Sequence, residues 1–174
     1  MVYLNHAATT HPRPPEVVSA VVAALSSAPA HPGRGAGGQD PLTEARLALA
    51  ELLDVDGAER IALLPSATHA LNLAIAGLAP RPGGHVVTTR LEHNSVLRPL
   101  AHAAAAGRLR VSYVSPDRLG RVSAEDVERA IEPRTRLVAV THVSNATGCI
   151  QPIGEIAAVA AQKDVALLVD ASQS

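Results

Sequence analysis

Four stretches of this 174-residue sequence gather side chains able to hold anions, move protons or pair with cations: SATHALN at 66–72, RLEHNS at 90–95, VSNATG at 143–148 and DASQS at 170–174. Ser66, Ala67 and Thr68 fall where a helix should begin. Free backbone N–H groups beside small side chains and a hydroxyl suit a phosphate there, although a plain helix cap uses the same residues. Asp170 closes the apolar run Val165–Val169. A carboxylate beside a buried strand is costly unless paired, whether by a salt bridge, a helix N-terminus or a cationic ligand group such as a protonated ring nitrogen. His93 could transfer a proton, lie across a ring or bind metal, or simply be a solvated or capping loop residue. Asn145 offers an amide or forms a turn, and Gln173 by itself says little. The eight histidines include no pair four residues apart, so no metal site is expected.

The combination says more than its members. An anion cradle, an imidazole able to cover a ring face, an amide, and an acid followed three residues later by Gln173 would suit a phosphorylated heteroaromatic ring. The phosphate needs N–H donors, the ring nitrogen needs a carboxylate, and the phenolic oxygen needs a donor. That set points to pyridoxal 5'-phosphate.

These residues need a scaffold, and the apolar pattern supplies one. Residues 1–15, with Pro12, Pro14 and Pro15, read as an extended arm. Helical spacing follows over 16–27 and from Leu42 to Leu53, separated by the glycine- and proline-rich loop 28–41. Strands are expected at 60–64, 85–89, 109–114, 137–142 and 165–169, and helices at 67–78, 95–106, from Ser123, and 153–162. The strands are short apolar runs without alternation, as when helices cover both faces of a sheet. The expectation is an α/β, three-layer, mainly parallel doubly wound sheet, whose ligands bind beyond the carboxyl ends of the strands. All four polar stretches fall there.

Composition narrows the alternatives. Fifteen basic residues against sixteen acidic give a formal net charge of −1, which speaks against nucleic acid or an anionic membrane as the main partner. Two tyrosines with no Phe or Trp make base stacking on single strands unfavourable. The single cysteine, Cys149, excludes a disulfide scaffold and a cysteine zinc site, and reads as a small buried thiol. No apolar run is long enough to span a membrane, and MVYLNHAATT has no basic-then-apolar signal region. A cytoplasmic protein is the expectation.

The stretches YLNHAATT, SATHALNLAI, EHNSVLRPL, HVSNATGCIQPI and VDASQS occur in the order of a known family. With them the chain resembles the class V aminotransferase group of pyridoxal-phosphate enzymes, the cysteine desulfurases in particular. HPGRGAG resembles a desulfurase-like subgroup. The resemblance implies the large domain of the fold type I pyridoxal-phosphate enzymes, with residues 16–174 as its N-terminal part. It implies that Ala67 and Thr68 hold the phosphate, and that His93 stacks on the pyridine ring and is the catalytic proton carrier. Asp170 would pair with the ring nitrogen, Gln173 with the phenolic oxygen, and Asn145 would lie near the substrate carboxylate or the ring oxygen. The implied substrate is cysteine or selenocysteine; in a desulfurase, cysteine becomes alanine and its sulfur passes onward to an acceptor protein. A homodimer is implied for the full enzyme.

The family's Schiff-base lysine, persulfide cysteine and carboxylate-binding arginine belong beyond VDASQS, where this sequence stops. Lys163, the one lysine, precedes Asp170 and reads as a surface residue. The expectation is therefore an N-terminal fragment, inactive by itself and completed by the lysine segment and a second subunit. Two readings compete with it. A Rossmann-type nucleotide module shares the sheet, but PSATHA lacks the G-x-G-x-x-G turn. A non-catalytic remnant or scaffold would explain the missing lysine but not the retained His93, Asn145, Asp170 and Gln173. Selenocysteine lyase and other class V lyase or transaminase activities stay open within the family.

Overall fold

A computed structural model describes residues 2–6, 8–27, 40–78 and 83–174. The chain divides into two compact units, Met1–Leu64 and Pro65–Ser174. In the first, the Tyr3 hydroxyl donates to the Thr9 carbonyl at 2.8 Å. Helix α1 spans Pro15–Ser26, with proline at its first position, where no N–H is required. Its apolar residues Val17, Val18, Val21, Val22 and Leu25 are all exposed. Helix α2 spans Pro41–Leu52 and is capped by Asp40, whose carboxylate accepts from the Leu42 N–H at 3.2 Å. All of the expected loop 28–41 except Asp40 and Pro41 lies outside the described residues.

The strand expected at 60–64 is absent. A single 3-10 turn covers Ala58–Arg60, and residues 61–64 form no ladder. The run Ile61–Leu64 is apolar enough for a strand, and Ile61 has extended dihedrals, but no strand among the described residues supplies hydrogen-bond partners. Leu63 and Leu64 are correspondingly exposed.

The second unit holds the sheet. Helix α3 (Ala67–Leu78) is followed by β1 (Gly84–Thr89), α4 (Asn94–Ala105), β2 (Leu109–Val114), α5 (Ala124–Ala130), β3 (Thr135–Thr141), α6 (Ile153–Gln162) and β4 (Ala166–Asp170). All three strand pairings are parallel, in the order β2-β1-β3-β4. Central β1 is buried at every position, whereas edge strands β2 and β4 are partly exposed. Alternate residues build two cores. Val86, Leu137 and Ala139 pack with Leu71, Ile75, Val96 and Leu100 of α3 and α4. Val87, Val138 and Val140 pack with Val127 of α5 and Ile156 of α6. Leu100 and Leu137 have no exposed surface, and burial of each contributes roughly 2 kcal/mol. Helices on both faces give the expected three-layer architecture. No helix among the described residues is long and apolar enough to cross a membrane.

The strand order makes β1 and β3 the switch point. From β1 the chain crosses to β2 on one side, and from β3 to β4 on the other, so the loops leaving β1 and β3 part and open a crevice. At the opposite, amino end of the sheet the buried His85 ties three strands together. Its Nδ1 lies 2.8 Å from Thr135 Oγ1 of β3 and its Nε2 lies 2.9 Å from Ser112 Oγ of β2. Burial is the main influence on this imidazole and lowers its pKa.

Candidate functional site

Above the carboxyl ends of β1, β3 and β4 lies a cavity of about 220 Å³. Ala67, Thr68, Leu71, His93, Ser95, Thr141, Val143, Asn145, Asp170, Ser172 and Gln173 line it. Ala67, Thr68, His93, Asn145, Asp170 and Gln173 are therefore on one wall system, brought there from α3, the end of β4 and the loops after β1, β3 and β4, while Ser66 lies outside the lining. The volume is below the roughly 300–1,000 Å³ of sites that engulf a drug-sized ligand, and is on the scale of one substituted ring. A larger hollow of about 830 Å³ runs along the α3–α4 groove and shares Thr68, His93 and Ser95. Neither Asp170 nor Asn145 faces it, so the convergent polar groups belong to the smaller cavity.

The start of α3 supplies unused donors. Ser66 takes the capping role, its Oγ accepting from the His69 N–H at 3.2 Å and its carbonyl from the Ala70 N–H at 3.0 Å. The N–H groups of Ala67 and Thr68 find no acceptor among the described residues, as the first turn of a helix dictates. Thr68 is not a cap: its hydroxyl lies 2.8 Å from Ser95 Oγ.

His93 is the N-cap of α4, its Nδ1 accepting from the Ser95 N–H at 3.2 Å. It is exposed toward the cavity and forms no hydrogen bond through Nε2 among the described residues. Asn145 sits on a turn closed by the Gly148 N–H donating to the Ser144 carbonyl at 2.8 Å, with Gly148 at φ +71°. Buried Gln151 anchors the chain behind this turn, accepting from Val122 N–H and donating to the Gly120 carbonyl, each at 2.9 Å. Cys149 is half-buried in the same loop rather than fully enclosed, because the turn stands out from the sheet end.

Asp170 is the last residue of β4, paired in register with Thr141, and is buried at 8 % exposure. Oδ1 accepts from the Ser172 N–H at 3.0 Å and from the Ser172 hydroxyl at 2.5 Å. Among the described residues Oδ2 has no hydrogen-bond partner, and no Lys, Arg or His forms a salt bridge with the carboxylate. A buried carboxylate aimed at a cavity, with half its acceptor capacity open, calls for a cationic N–H from a ligand. Two unused backbone donors at the other wall call for an anion. This donor set fits pyridoxal 5'-phosphate, whose ring nitrogen and phosphate occupy opposite ends of one small molecule.

Glu92, beside this cavity but not in its lining, was not singled out in the sequence. It is buried between the ends of β1 and β3, where Oε1 accepts from the Thr89 hydroxyl at 2.6 Å and from the Thr141 N–H at 3.0 Å. Oε2 is buried without a partner among the described residues. Burial pushes this carboxyl up to about 7; the Thr89 and Thr141 bonds oppose the rise, and nearby Asp170 adds to it. A carboxyl with a raised folded pKa stabilises most below its unfolded value, here 4.5, and that stability is lost as pH climbs to about 7. The loss is about 3 kcal/mol. Glu92→Gln should match the native chain near pH 4.5 and exceed its stability by about 3 kcal/mol at pH 8 in urea unfolding. Stability curves that run parallel across this range would contradict the assignment.

Comparison with known proteins places the chain in a family. The family model for class V aminotransferases matches residues 2–174. A probable cysteine desulfurase of Methanothermobacter thermautotrophicus is 36% identical over 178 residues, covering 99% of this chain and 44% of the relative. The cysteine desulfurase IscS of Buchnera aphidicola subsp. Schizaphis graminum is 37% identical over 133 residues, covering 75% of this chain and 32% of the relative. Among solved structures, the apo cysteine desulfurase of Thermococcus onnurineus NA1 superimposes with a TM-score of 0.88 at 30% identity, over 99% of this chain and 44% of that one. SspA in complex with cysteine gives 0.87 at 31% identity, over 100% and 51%. The chain thus spans between about a third and a half of the length of these proteins.

Proposed function

The chain belongs to the class V aminotransferase family, and on that premise we propose that it forms the cofactor-binding part of a pyridoxal-phosphate-dependent cysteine desulfurase. One observation carries this reading: Ala67, Thr68, His93, Asn145, Asp170 and Gln173, drawn from α3 and three separate loops, line a single cavity at the sheet's switch point. Residues 16–174 are then the N-terminal part of the large domain, preceded by an arm at 1–15. The substrate is a small amino acid, cysteine, and the sulfur goes to an acceptor protein. The working enzyme is a homodimer, as the resemblance implies, and is placed in the cytoplasm on the sequence reading of its N-terminus and apolar runs.

When bound, pyridoxal phosphate supplies an electron sink for bonds at the substrate's α-carbon. The remaining chemistry belongs to the chain. The free N–H groups of Ala67 and Thr68 would hold the phosphate, where the positive end of the α3 dipole favours it. Asp170 would accept from the ring nitrogen through Oδ2 and hold a proton there, while Ser172 fixes the carboxylate through Oδ1. Gln173 donates to the phenolic oxygen. His93 would cover the ring and move protons with the substrate, and Asn145 would orient the substrate carboxylate or the ring oxygen. Leu71 and Val143, also in the lining, limit water at the ring.

Chemical-shift mapping on the chain tests this reading against a nucleotide module. Pyridoxal phosphate should perturb Ala67, Thr68, His93, Asn145, Asp170 and Gln173 together, and NAD should leave them unmoved. The converse pattern would replace the proposal with a nucleotide site.

A further inference from the structure

We propose that Ser95 is a positioning residue that fixes His93 as the tautomer carrying its proton on Nε2. The Ser95 backbone N–H, 3.2 Å from His93 Nδ1, can only donate. Nδ1 therefore presents its lone pair, and the neutral ring's proton is on Nε2. The Ser95 hydroxyl, 2.8 Å from the same nitrogen, meets that lone pair and donates to it as well. Ser95 Oγ is then the acceptor for the Thr68 hydroxyl, 2.8 Å away. The protons of the row Thr68–Ser95–His93 all run one way, toward Nδ1.

The frame around this row is cross-linked by hydrogen bonds between α3 and α4. Pro99 lies inside α4 and has no N–H for the carbonyl four residues before it, which is that of Ser95. The Asn72 amide of α3 takes that carbonyl instead at 3.3 Å, and also donates to the Thr68 carbonyl at 2.8 Å. One amide so ties the first turn of α3 to the first turn of α4, with Ser95 buried at 8 % exposure between them. On the cofactor reading above, on which this consequence rests, the proton that His93 moves is the one on Nε2.

Imidazole nitrogen spectra of the ¹⁵N-histidine-labelled chain at pH 8 test the proposal without cofactor or substrate, so failure of cofactor binding would leave the result standing. The His93 signals are assigned with His93→Gln. The native chain should show the Nε2–H form. Ser95→Ala should raise the Nδ1–H fraction about fivefold, the worth of one neutral hydrogen bond, and Ser95→Thr should restore the native ratio. Should Ser95→Ala fail to fold, Thr68→Val, which removes the donor behind Ser95, should move the ratio the same way. An Nδ1–H form in the native chain, or a ratio indifferent to loss of the hydroxyl in a folded variant, overturns the proposal.

Discussion

Supplied with pyridoxal 5'-phosphate and L-cysteine, the purified 174-residue chain is expected to release no alanine above the rate of free cofactor. Covalent capture of the cofactor aldehyde needs an amine at the cavity, and capture with correct placement supplies much of the rate in such chemistry. Lys163 is the one lysine in the sequence. It caps the C-terminus of α6, before β4 begins, and its Nζ lies 2.7 Å from Glu128 Oε1 of α5. Asp170 closes the other end of that strand. Four residue steps of parallel strand cover roughly 13 Å, so Lys163 and the cavity stand at opposite ends of the sheet. Borohydride reduction of the chain with cofactor should accordingly leave Lys163 unmodified in peptide mass spectra. A reduced adduct at Lys163 together with alanine release would contradict the placement of the site.

Much of this placement was readable in the residues. Asp170 announced itself as a carboxylate ending five apolar residues, and the strand end it implied is where β4 stops. His93, Asn145 and the start of α3 were legible for the same reason: each interrupts an apolar run with polar residues at a turn. The segment at 60–64 misled because four apolar residues carry no record of whether a partner strand exists. Glu92 and Ser95 stayed hidden for a different reason. A glutamate beside a loop histidine looks solvated, and only the closing of β3 against β1 buries it. The spacing of Ser95 two residues after His93 was the one available sign, since it matches an N-cap side chain reaching the N–H two positions on.

Asp170→Asn is expected to weaken pyridoxal phosphate binding roughly 30-fold or more, with the fold retained. Asparagine keeps an acceptor at Oδ1 for the Ser172 N–H and hydroxyl, so the turn after β4 survives. What it lacks is charge. Removing one member of a buried, hydrogen-bonded charge pair costs about 2–5 kcal/mol, and each 1.4 kcal/mol is about tenfold in affinity. The cost is of this size because the carboxylate is buried and no cationic side chain among the described residues pairs with it. The same substitution should leave NAD titrations unchanged.

The pairing of Asp170 with a ring nitrogen is the claim on which the rest depends, and a double cycle reads it directly. Pyridoxal phosphate and its carbocyclic analogue, which has carbon in place of the ring nitrogen, are titrated against the native chain and Asp170→Asn. The account predicts that the native chain prefers the pyridine by roughly 30-fold, and that Asp170→Asn abolishes the preference. Equal affinity of the native chain for both rings, or a preference that survives in Asp170→Asn, would contradict it.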